Sequence, residues 1–117
     1  MLKIIHTYKS GVHALVIDGH AGYAEHGSDI VCASASMLAY TLANEVARRG
    51  EAHELTCKPI IALSPGSARV VCAPVEKVQR EVDMIFGVFS GGFRLLAENY
   101  PDYVEFHENT DASPERA

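Results

Sequence analysis

His20 and Cys32 stand twelve residues apart, joined by AGYAEHGSDIV, a stretch with two glycines and few large apolar side chains. The helical spacing that begins at residue 30 puts Cys32 in the first turn of a helix, and with Asp29 as N-cap it is the third helical residue. Unpaired backbone N–H groups and the positive end of the helix dipole favour a thiolate there, and a nearby imidazolium would add to the effect. The same N–H groups could receive the oxyanion that forms when a carbonyl is attacked. One segment thus offers a nucleophile and an activating field, while the end of a neighbouring strand offers a base in His20. The plain alternative is that Cys32 is a core residue, as most free cysteines in small domains are.

The other candidates are weaker. Cys57 and Cys72 lie in apolar strand patterns and are expected in the core. His6, His13, His26, His53 and His107 show no metal-ligand spacing, so no metal site is expected. His26 lies in the loop and could replace His20 as base. Ser34 and Ser36 lack a nucleophile-elbow pattern and read as helix-face residues. Tyr23, Met37 and Tyr40 could line a pocket, though Met37 and Tyr40 at i,i+3 are more simply core.

Positioning these residues needs a particular order of elements. Residues 2–8 and 12–20 read as two strands joined at Lys9-Ser10-Gly11, with Val12, Ala14, Val16, Asp18 and His20 on one face of the second strand. Residues 21–28 read as a mobile loop with few core anchors. A helix over 30–49 follows, capped by Ser28 or Asp29 and stopped by Gly50. Residues 53–63 and 67–73 flank Ser64-Pro65-Gly66 as a second hairpin. Pro74 fits a first helical position, and Val75, Val78, Val82, Ile85, Phe89, Phe93 and Leu96 form the apolar stripe of a helix over 75–99, weakened at Ser90-Gly91-Gly92. A short strand at 103–106 and a frayed polar tail at 108–117 complete the chain. The expected fold is an α+β two-layer sandwich, strand-strand-helix-strand-strand-helix with a possible last strand and both helices on one sheet face. Two small-residue ridges, Ala35/Ala39/Ala43/Ala47 and Gly87/Gly91, suit close helix packing.

Length and composition bound the rest. With 117 residues, 48% hydrophobic and 21% charged, the chain reads as one globular domain over 1–107, able to bury about two-thirds of its unfolded surface without disulfides. Apolar runs are too short for a membrane span, and the first residues make a poor signal peptide, so a cytoplasmic protein with free thiols is expected. A formal charge of −5 with no basic cluster beyond Arg48-Arg49 argues against nucleic acid and suits a basic protein or peptide partner.

The segment GHAGYAEHGSDIVCASAS (19–36) resembles the signature of the ribosomal-processing cysteine protease family Prp, also called YsxB-like. Gly19-His20-Ala21, Gly27, Asp29 to Ala33 and Ser36 match the family pattern in type and spacing, and Glu98 to Glu105 (ENYPDYVE) resembles its C-terminal region. Residues 51–73 match no motif. The resemblance implies a homodimeric cytosolic endopeptidase, needing no cofactor, that removes a short, basic, aromatic-containing N-terminal extension from the precursor of large-subunit ribosomal protein twenty-seven. It further implies that Cys32 is the nucleophile, His20 the general base and Asp29 an assisting residue, with Gly22, Tyr23, Gly27 and Ser36 contacting substrate. The alternatives are a non-catalytic ribosome-associated binding module, or another thiol enzyme such as an acyltransferase.

Overall fold

The computed structural model describes residues 1–25 and 27–110. β1 (Leu2–Lys9) and β2 (Val12–Asp18) pair antiparallel, Lys3 opposite Asp18 and Lys9 opposite Val12. Ser10 and Gly11 close the hairpin at φ 51° and 79°, the primed turn whose twist matches the strands. β3 (Ile60–Ser64) and β4 (Ser67–Cys72) form the second hairpin around Pro65-Gly66. β4 pairs antiparallel with β2, and β5 (Val104–Thr110) pairs parallel with β1, giving the order β3-β4-β2-β1-β5. α1 (Ile30–Glu51) lies against β3 and β4, α2 (Gln79–Asn99) against β5, and the two helices pack on each other. This is the expected α+β arrangement.

Alternation along the strands decides which side is covered. Leu2, Ile4 and His6 of β1, His13, Leu15 and Ile17 of β2, Val70 and Cys72 of β4, and Val104 of β5 are buried with Val31, Ala35, Ala39, Leu42 and Val46 of α1 and Val82, Phe86, Phe93 and Leu96 of α2. α1 is long and apolar enough to cross a membrane by length and composition, which the run-length reading of the sequence did not register; here its apolar stripe belongs to this core.

Several elements differ from the sequence expectation. The strand expected from residue 53 begins only at Ile60, because Leu55 bridges back to Pro74 and the Thr56 N–H donates to the Ala73 carbonyl, turning the chain before Pro59. Cys57 is consequently exposed and not in the core, whereas Cys72 is buried. α1 runs past Gly50 to Glu51. Pro74 is a buried bridge residue, and a 3-10 turn over Glu76–Val78 leads into α2, which continues through Ser90-Gly91-Gly92 without a break. The close approach of the helices is at Gly92, where a Cβ would come within 3.2 Å of Leu38, and not at Gly87 or Gly91, which face open space. Tyr40 and Met37 are exposed, 54% and 66%, and are not core. β5 extends through Thr110; residues 111–117 of the expected tail lie outside the described residues.

A buried polar chain ties three strands to α2. His6 Nδ1 lies 2.9 Å from Glu108 Oε2 and 2.7 Å from Ser90 Oγ, His6 Nε2 lies 3.1 Å from His13 Nδ1, and His13 Nε2 lies 2.7 Å from Asp83 Oδ1. Phe86 stacks on both imidazoles, with ring centroids 5.5 and 4.4 Å away. Arg94 donates to Glu108 and Gln79 to Asp83, so both carboxylates act as acceptors. Each imidazole thus bridges at least two partners, so removing either ring leaves buried polar groups unpaired. In urea unfolding, His13→Leu is expected to lower stability by roughly 2 kcal/mol through unpaired buried groups.

Candidate active site

Asp29 builds the local structure of the site. It caps α1 at φ −82° and ψ 103°; Oδ1 accepts from the N–H groups of Val31 and Cys32, both at 2.9 Å. Oδ2 reaches the other way and accepts from Tyr23 at 3.0 Å and Ala24 at 3.3 Å. Burial pushes this carboxyl up, but the four amides outweigh it and hold it below the usual carboxylate range. Among the described residues, its hydrogen bonds go to backbone amides and none to His20.

The cap changes the chemistry expected of the helix terminus. The Val31 and Cys32 N–H groups are taken by Asp29 Oδ1, and the Ala33 N–H donates to the Asp29 carbonyl at 3.0 Å. Among the described residues, of the first four helical donors only that of Ile30 is left without an intrahelical or capping partner. The sulfur instead has its own donor, the Ala21 N–H, 3.3 Å from Cys32 Sγ; a thiolate accepts such a bond better than a thiol. Ala21 is itself buried, at 3% exposure, so the loop is anchored at its first residue as well as at Tyr23 and Ala24.

β2 stops at Asp18, short of the strand expected through residue 20, because the chain turns at Gly19 with φ 96°, and His20 lies just beyond it where the two hairpins meet. The Gly19 N–H donates to the Gly66 carbonyl at 2.9 Å, and the imidazole sits over Gly66. A Cβ on Gly66, at φ 76°, would lie 2.8 Å from His20 Nε2. The β3–β4 turn therefore sets where the ring can go, and only glycine leaves room for it there.

His20 and Cys32 open into one cavity of about 580 Å³, lined also by Gly22, Gly27, Asp29 and Ser36. Its far wall is the β3–β4 hairpin from Leu63 to Ala68, and Tyr40 closes its end along α1. Tyr23 does not line the cavity. Its ring packs edge-on against Tyr100 and Tyr103, with centroids 5.5 and 5.1 Å away, holding the loop to the other end of the chain. His26 lies outside the described residues. Sequence reasoning missed Leu63, Gly66 and Ala68 as parts of the site, and it weighed Tyr40 as pocket-lining but preferred it as core. The Ser64-Pro65-Gly66 turn was legible, but nothing in it signals that its carbonyl and open Cα face meet His20. Among the described residues no group of histidine, cysteine and carboxylate side chains could hold a metal.

Residues 1–105 match the family described as cysteine protease Prp. A search of curated proteins finds no match. Among solved structures, the ribosomal processing protease Prp from S. aureus with a covalently linked product peptide is similar at a TM-score of 0.69 and 22% identity, covering 93% of this chain and 100% of that one. The same protease with a substrate peptide gives a TM-score of 0.64 at 22% identity over the same shares. SMU.848 from Streptococcus mutans is similar at 0.67 and 28%, covering 95% and 96%. The structures under a quarter identical speak for the fold; the family match spans nearly the whole sequence, and by it the chain belongs to the Prp family of cysteine proteases.

Proposed function

We propose that this protease removes the N-terminal extension from the precursor of bacterial large-subunit ribosomal protein twenty-seven. The observation that carries the reading is Cys32 at the start of α1, its sulfur accepting the Ala21 N–H and opening with His20 into one peptide-sized cavity. The S. aureus relative, described as a ribosomal processing protease and bound to substrate and product peptides, supports that substrate class. A net charge of −5 suits a basic extension, and the homodimer and cytosolic setting implied by the sequence resemblance go with this reading.

In this mechanism His20 takes the thiol proton and Cys32 Sγ attacks the scissile carbonyl. The imidazolium then protonates the leaving amine, leaving a thioester between the extension and Cys32. His20 next takes a proton from water, whose oxygen attacks the thioester and releases the extension with a free carboxylate. Gly22, Gly27 and Ser36 contact the bound chain from the cavity wall, while Tyr23 acts through the loop it anchors. Asp29 serves as a positioning residue, holding the Ala21–Ala24 loop and the Cys32 turn on one carboxylate.

Incubating the protein with the precursor and mapping the product by mass spectrometry tests the reading: one new N-terminus within the extension's boundary supports it, and an intact precursor counts against it. Cys32→Ser should leave a folded protein with no turnover, because the hydroxyl ionises too poorly to replace the thiolate. On limited alkylation Cys72 should be spared, since burial pushes its thiol up to about 12. Exposed Cys57 should react at an ordinary rate and Cys32 faster than either.

Asp29→Asn keeps one carbonyl oxygen for Val31 and Cys32 but turns an amide NH2 toward the Tyr23 and Ala24 N–H groups, so it is not a silent cap replacement. Stability should fall by about 1–2 kcal/mol. The native carboxylate's contribution is present at neutral pH and lost as pH falls through its lowered range, and the variant should lack that acid-side loss. Turnover should drop with an unshifted pH–rate profile; a displaced profile would mean instead that the carboxylate acts on His20 electrostatically.

A further inference from the structure

The two edges of the sheet are built differently. β5, one edge, carries Glu105, His107 and Glu108, the charged side chains that keep an open edge from pairing with other chains. β3, the other edge, reads IIALS, without a charge or a proline, and its Ile60 and Ile61 are 50% and 37% exposed. An unguarded apolar edge is an aggregation hazard unless something is meant to pair with it.

The register says which groups it offers. Ser64 pairs with Ser67 across the two-residue turn, Ala62 with Arg69 and Ile60 with Val71; these are the hydrogen-bonded pairs, alternating with non-bonded ones. The N–H and C=O groups of Ile61 and Leu63 therefore point away from β4. Among the described residues, no backbone bond from outside the hairpin reaches them. This edge is continuous with the catalytic cavity, because Leu63 and Ser64 line it together with Cys32. Across it, Cys32, Ser36 and Tyr40 follow at i, i+4 and i+8 along α1, all three lining the cavity. Tyr40 lies about 12 Å from Cys32 along the helix axis, which an extended peptide covers in three to four residues.

From this geometry we infer that the substrate binds as a sixth strand on β3, its backbone bonded to Ile61 and Leu63, with Tyr40 reading the side chain three to four residues from the scissile bond. The inference rests on the peptidase reading above. Alternate side chains of such a strand face the cavity beneath α1 and the open sheet face in turn, so the cleft reads every second residue.

The test uses Cys32→Ser protein and a fluorescent peptide spanning the precursor's cleavage region, with its backbone amides N-methylated one at a time. Binding affinity is the readout, so the result does not depend on turnover. Methylation should weaken binding roughly tenfold at every second position and little between them. Ile61→Pro removes only an outward N–H, an edge position that tolerates proline, and should weaken binding with the thermal midpoint held. Tyr40→Ala, at an exposed residue, should do the same. Period-two sensitivity with failed cleavage by the native protein would retain the strand and reject the peptidase reading. A flat methylation profile, or no binding of the unmodified peptide, overturns the strand.

Discussion

Both oxygens of the Asp29 carboxylate are spent on backbone amides, and the site depends on that division. One oxygen terminates α1 and fixes the turn that carries Cys32; the other gathers Tyr23 and Ala24, which pulls the loop back so that the Ala21 N–H faces the sulfur. A neutral cap could serve the helix alone, but only an acceptor on both sides serves helix and loop together. A cost follows from the same geometry. The helix N–H groups that looked available for an oxyanion are largely occupied by their own cap.

The second partner is held from elsewhere in the chain. His20 lies two residues past the end of β2, and its ring rests on the glycine of a hairpin more than forty residues further on, so the sheet order β3-β4-β2 brings base and nucleophile to one cavity. At the opposite end of the same strands the His6–His13 chain fastens β1, β2 and β5 to α2. Tyr23, wedged against Tyr100 and Tyr103, connects the catalytic loop to the segment that leads into β5. Local geometry at Cys32 thus draws on contacts from both ends of the chain.

Much of this was legible in the sequence, and the limits have physical causes. The β1–β2 hairpin, the start of α1 and the pairing of Cys32 with a helix terminus follow from local rules, namely turn chemistry, periodicity and capping. Helical spacing placed Phe93 and Leu96 inside but could not tell Tyr40 from core, because i,i+3 spacing does not say whether a neighbour covers that face. The strand expected from residue 53 failed because Leu55 was claimed by Pro74, a contact between distant segments. His6 and His13 were passed over because each looks incidental alone; only the antiparallel register, which sets His6 opposite Leu15 and beside His13, makes them a pair. The double use of Asp29 is likewise a tertiary fact.

The central claim is that Cys32 forms a covalent bond to the substrate's carbonyl carbon. Acid-quenched mass spectrometry of the native protein mixed with excess precursor, before the steady state, tests it most directly. The account predicts a protein heavier by the acyl mass of the extension, with the added mass mapped to the peptide containing Cys32 and lost on treatment with hydroxylamine. Cleavage that proceeds with no acylated protein at any time, or with the acyl group on another residue, would contradict it.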